Sequence, residues 1–74
     1  MKRFHETILG QNVTIEVWKA PDLIVRYNGY TYCPMKECQS KDALKAEFRS
    51  TQDGAKSDAK KAITAHLKKV HRLR

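Results

Sequence analysis

Cysteine is scarce in this chain: 74 residues contain two. A small secreted domain held by disulfides carries four or more, so a disulfide framework is excluded. Long apolar runs are missing as well, and no stretch approaches the ~18 consecutive apolar residues of a membrane-spanning helix. Near the start, His5 and Glu6 stand where a secretory leader needs an apolar segment. The expectation is an intracellular chain (cytoplasm, nucleoid or nucleus) with no membrane partner. In such a compartment thiols stay reduced and free to bind metal, and the sequon Asn12-Val13-Thr14 carries no meaning. Catalytic signatures are absent too. There is no Gly-rich phosphate loop, no nucleophile elbow and no His-Glu pair at metalloprotease spacing. Asp42, Glu47, Asp53 and Asp58 read as helix-start and surface charges, and an enzyme is not expected.

Acid is also missing from the C-terminal end: nothing acidic follows Asp58, while Lys60, Lys61, Lys68, Lys69, Arg72 and Arg74 do. The net charge of +7 is accordingly lopsided, with +1 over residues 1–35 and +6 over residues 36–74. Such asymmetry points to a polyanionic partner, nucleic acid foremost, with an acidic protein or a plain solvated helix face as the blander readings. The length gives a single domain, residues 1–74, divided into a β-rich part (1–29) and a C-terminal part (30–72). A domain this small buries little core and needs a staple.

Periodicity predicts strands first. Val13, Ile15 and Val17 alternate with Thr14, Glu16 and Trp18, and residues 4–9 form a partner strand joined through Gly10-Gln11-Asn12. Residues 23–27 and 30–33 flank Asn28-Gly29, a strong hairpin signal, which would pair Tyr27 with Tyr30, Val25 with Tyr32, Arg26 with Thr31 and Ile24 with Cys33. Beyond Cys38 the pattern turns helical. A short helix over 41–49, capped by Ser40, would turn Ala43, Leu44 and Phe48 inward. A break is expected at 50–54, where Gly54 lowers helix propensity. A second helix over 57–71 would carry Ala59, Ala62, Ile63, His66, Leu67 and Val70 on one face and Lys61, Lys68 and Arg72 on the other. One continuous helix over 41–72 is the alternative. The fold class is thus α+β: N-terminal antiparallel β-hairpins, then a hairpin carrying the cysteines, then C-terminal helices.

Cys33-Pro34-Met35-Lys36-Glu37-Cys38 is C-x4-C at a hairpin end, and His66-Leu67-Lys68-Lys69-Val70-His71 is H-x4-H at a helix end. Both spacings suit a tetrahedral site for one structural zinc ion. Two thiolates on a tight loop and two imidazoles about one helical turn apart can converge on one cation, and together they use both cysteines and two of three histidines. His66 rises from the apolar face, whereas His71 lies about 140° further round the helix, so the helix end must change pitch for it to converge. Buried thiols, a core histidine and a surface histidine are the alternative reading. His5 is the spare, expected at the surface.

Tyr32-Cys33-Pro34, Cys38 and the segment Ile63 to His71 resemble a Cys2His2 zinc finger, with Ile63 three residues before the first histidine and Tyr32 just before the first cysteine. The resemblance covers residues 30–72. It departs in its spacer, which has 27 residues between Cys38 and His66 where the standard finger has about 12; the longer spacer and basic histidine end look more like BED-type fingers. The resemblance implies nucleic-acid binding, most simply by a small transcriptional regulator of duplex DNA acting alone, as a homodimer or with a protein partner. Lys56, Lys60, Lys61, Lys68, Lys69 and Arg72 are the candidate nucleic-acid contacts, with Gln52, Lys56 and Lys60 as base readers. Two alternatives stand beside it. One is an RNA- or single-strand-binding module, in which Trp18, Tyr27, Tyr30 and Tyr32 would stack on bases if they face solvent. The other is a protein-interaction zinc module with a basic docking helix.

Overall fold

The computed structural model describes residues 1–21, 25–38, 43–46 and 49–73. Four antiparallel strands are followed by one C-terminal helix: β1 Lys2–Ile8, β2 Gln11–Lys19, β3 Tyr27–Thr31, β4 Leu44–Lys45 and α1 Gln52–Lys69. The strands form one sheet in the order β1-β2-β3-β4, so each strand pairs with its sequence neighbour. The α+β class therefore stands, with one helix among the described residues where two were expected.

The first hairpin forms as the alternation requires, but its turn is shorter. Ile8 pairs with Gln11, leaving Leu9 (φ 50°) and Gly10 (φ 79°) as a two-residue turn. Positive φ at both central positions matches the right-handed twist of the flanking strands. The register sends Val13, Ile15 and Val17 inward, all buried, and leaves Trp18 exposed on the opposite face.

The hairpin expected at Asn28-Gly29 does not form. Both residues lie inside β3, where Asn28 faces Trp18 and Gly29 faces Val17, while Tyr30 faces Glu16 and Tyr27 faces Lys19. Neither has positive φ, so no tight turn occurs there. Gly29 is required for another reason. A Cβ at this position would lie 2.5 Å from the Ala55 carbonyl oxygen and 2.9 Å from Ala59 Cβ, so the glycine marks where α1 crosses the sheet. Val25 is exposed outside any strand, and Ile24 lies outside the described residues.

The short helix over 41–49 is also overturned. Lys45 and Leu44 pair with Tyr30 and Thr31, Ala46 N–H donates to the Gly29 carbonyl at 2.8 Å, and Tyr27 and Arg49 exchange backbone bonds at 2.7 and 2.9 Å. The edge of β3 offers unpaired backbone groups, and filling them outweighs the local helix propensity of this segment. Leu44 is half-buried against the core, as its apolar character requires; Ser40 and Phe48 lie outside the described residues.

Helix α1 begins five residues earlier than its periodicity suggests. Thr51 caps it, its Oγ1 accepting from Gly54 N–H at 3.0 Å, and Asp53 in the first turn suits the positive helix end. Gly54 therefore sits in the capped first turn instead of breaking the helix. Ala55, Ala59, Ile63 and Leu67 are completely buried, one every four residues, and pack across β3 and β2. Full burial of Ile63 and Leu67 contributes about 1.5–3 kcal/mol each. Ala62 is half-buried, but Val70, expected on this face, is 59% exposed. It caps the helix end, and Leu73 packs against the core.

Candidate metal centre

The two cysteines lie just past β3. Pro34 opens a turn that closes when Cys38 N–H donates to the Met35 carbonyl at 3.2 Å, bringing Cys38 back beside Cys33. Cys38 is buried and Cys33 half-buried. His66 projects from the last turns of α1. His71 lies beyond the helix, which stops at Lys69 with Val70 as its cap; after His71 the chain turns back, Arg72 adopting φ 55° and Leu73 N–H donating to the Leu67 carbonyl at 3.1 Å.

The four side chains converge. Cys33 Sγ lies 3.2 Å from His71 Nε2, Cys38 Sγ lies 3.5 Å from His66 Nε2, and all four ligand atoms fall within 4.8 Å of one another. Zinc bonds of about 2.3 Å to sulfur and about 2.0 Å to nitrogen, at tetrahedral angles, set a sulfur–nitrogen edge of about 3.5 Å. The two cysteine–histidine distances fit that edge. The imidazole rings meet edge to face with centroids 5.1 Å apart, so both Nε2 atoms can point to one centre without the rings colliding. Burial pushes the Cys33 thiol above its ordinary range; a backbone hydrogen bond from Met35 opposes the rise and the Cys38 thiol adds to it. The arrangement is Cys2His2-like and could hold one zinc ion with no open coordination position. His5 lies apart on β1, exposed, with Nδ1 3.3 Å from Thr14 Oγ1.

Compared with models of known protein families, with curated proteins and with solved structures, the chain matches none. The likeness to Cys2His2 fingers rests on the arrangement of these four side chains alone, and the finer likeness to BED-type fingers has no family match behind it.

The six candidate nucleic-acid contacts do not form one patch. Lys60, Lys61 and Lys68 line a shallow groove along the outer face of α1 with Ser57, Thr64 and Ala65 between them. Lys56 is turned to the sheet, its Nζ 3.1 Å from Glu6 Oε1 and 4.5 Å above the Phe4 ring; the ammonium holds the Glu6 carboxyl below its usual range. Gln52, read as a base contact, lines a separate groove with Lys2, Val17 and Tyr27. Lys69 and Arg72 are exposed at the helix end and beyond it. No helix among the described residues is long and apolar enough to cross a membrane.

Sequence reasoning underrated the sheet face opposite α1. Trp18, Tyr30 and Tyr32 share a groove there with Asn28. Alternation through residues 13–18 already turned Trp18 away from the core. Asn28 was hidden by its reading as a turn residue.

Proposed function

We propose that the chain is a zinc-stabilised nucleic-acid-binding module, a small regulator that docks α1 on duplex DNA. The observation that carries this reading is the outer groove of α1, where Lys60, Lys61 and Lys68 alternate with the small residues Ser57, Thr64 and Ala65. Small side chains allow the helix to approach a groove closely, while the ammonium groups reach phosphates on either side. From Lys60 to the end of the chain there is no acid to oppose them. Zinc, held by Cys33, Cys38, His66 and His71, supplies no catalysis in this account. It ties the helix end to the loop after β3, so the basic stripe is presented as a rigid body.

Fluorescence anisotropy with a short labelled duplex tests the reading. Lysines that meet phosphates release counterions, and each contributes about 0.9 to the slope of log K against log salt. The double variant Lys61→Ala/Lys68→Ala should bind more weakly and lower that slope by about 2 while keeping its fold and its metal. An unchanged slope would remove this face from the interface. Failure to bind any nucleic acid at low salt would reassign the basic stripe to an acidic protein partner.

A further inference from the structure

A sheet has two faces, and α1 covers one. On the other, Trp18 is 46% exposed and Tyr32 51% exposed, and Tyr30 is half-buried beside them. Trp18 faces Asn28 across β2 and β3, and Tyr30 faces Glu16, so Trp18 and Tyr30 are diagonal neighbours within reach of each other. Tyr32 continues the alternation one step past β3. Isolated exposed aromatics need no explanation, but three lining one groove do.

The groove also contains a polar group without a partner. Asn28 is 5% exposed and lines this groove. Its Nδ2 donates to the Tyr30 hydroxyl at 3.3 Å, while its buried Oδ1 has no hydrogen-bond partner among the described residues. Buried carbonyl oxygens are nearly always satisfied, and an orphan one marks a missing donor. Lys19 and Lys45 border the groove. The one carboxylate that lines it among the described residues, Glu16, is held by Arg3 at 3.0 Å, so its charge is compensated.

We propose that this face is a stacking site for an unpaired nucleobase. The ring would lie against Trp18, Tyr30 and Tyr32, an N–H on its edge would donate to Asn28 Oδ1, and the strand's phosphates would pass Lys19. A nucleobase meets all three demands, having a flat π-face, N–H donors in its plane and an anionic backbone. Every base offers both face and donor, so the site tolerates sequence. A duplex hides its base faces and does not fit. The inference takes its ligand class from the nucleic-acid reading above but uses a different face of the molecule.

Trp18 is the only tryptophan, so its emission reports on this groove. The zinc-loaded full chain would be titrated with a deoxycytidine hexamer, with an abasic phosphodiester of the same length and charge, and with a short duplex. The hexamer should quench Trp18 saturably, whereas the abasic strand and the duplex should leave it unchanged. Tyr32→Ala, at an exposed position, should weaken hexamer binding about 5- to 150-fold, and Asn28→Leu should weaken it further still. Lys61→Ala/Lys68→Ala should not change it. Equal quenching by the abasic strand, or full affinity in Tyr32→Ala, would overturn the proposal. So would emission that shifts with protein concentration and ignores the hexamer, which would assign the face to a second copy of the chain. Duplex binding that survives while the hexamer fails would sink this inference alone. The reverse result would sink only the helix reading.

Discussion

Replacing Gly29 by Ala should damage both the fold and the metal centre, although Gly29 touches neither cysteine nor histidine in sequence. The new Cβ would sit 2.5 Å from the Ala55 carbonyl oxygen and 2.9 Å from Ala59 Cβ, and real Cβ atoms essentially never come nearer than 3.0 Å. The closest obstacle is helix backbone, so no side-chain rotation relieves it; α1 must retreat by about half an ångström. Overpacking of this kind costs about 1–3 kcal/mol, which for a domain of this size lowers the melting temperature by roughly 4–8 °C per kcal/mol. Because His66 and His71 are carried by α1 and its end while Cys33 and Cys38 follow β3, the retreat also separates the two halves of the ligand set. Metal sites tolerate about 0.2 Å of ligand displacement, less than the shift required. Thermal melting in saturating zinc and a chelator competition for zinc would read the two effects. Gly29→Ala/Ala59→Gly should stay destabilised, because the Ala55 carbonyl still blocks the Cβ. A Gly29→Ala variant that melts and binds zinc like the parent would refute the packing argument.

Three other outcomes follow from the same geometry. Cys38→Ser should lower zinc affinity at least tenfold, since second-shell losses alone reach about 10–100-fold, and should lower the melting temperature; His5→Ala, at an exposed position on β1, should leave both unchanged. Native mass spectrometry and melting curves check this, and a parent chain that folds fully and takes up no zinc would remove the metal from the account. Zinc binding should release at least one proton per ion at neutral pH. Burial raises the Cys33 thiol, so the metal-free chain holds that proton and the metal must displace it; apparent affinity should then fall at least about tenfold per pH unit as the solution is acidified through neutrality, measured by chelator competition across pH. Arg72→Gly should stabilise the zinc-loaded protein by about 1 kcal/mol, because φ 55° strains a residue with a Cβ; urea denaturation would show it as a higher midpoint.

Much of this was legible in the chain. The inward set Val13, Ile15 and Val17 followed from strict alternation, and the helical set Ala59, Ile63 and Leu67 from the four-residue spacing. Both are signals a short window contains. The convergence of the four candidate metal ligands was legible because tetrahedral coordination restricts residue type and spacing together. What misled was information held elsewhere in the fold. Asn28-Gly29 has the composition of a tight turn, yet Gly29 answers to Ala55 and Ala59, more than twenty positions away. Residues 44–46 carry helix-forming side chains, but the free edge of β3 claimed their backbone. Gly54 looked like a breaker because its role depends on the Thr51 cap three residues earlier. The orphan Asn28 Oδ1 has no trace in the sequence, since an unmet hydrogen bond exists only once the neighbours are in place.

Apolar packing holds α1 on the sheet, and the candidate metal site lies at its far end. Towards its N-terminal half, Ala55 and Ala59 close on Gly29 at backbone distance, and Ile63 and Leu67 continue that contact as fully buried side chains. Past Leu67 the fully buried stripe ends, with Val70 mostly exposed and Leu73, beyond the helix, packed against the core. His66 and His71 lie at that point. A cation there would join residues separated by a 27-residue spacer, and closing so long a loop would constrain the unfolded chain of a domain with a thin core. A metal bound there would therefore clamp the helix end to the 33–38 turn, just beyond the fully buried stripe. Lys60 and Lys61 ride on the packed section and Lys68 on the section a bound metal would clamp, so both contacts would bear on the groove these lysines line.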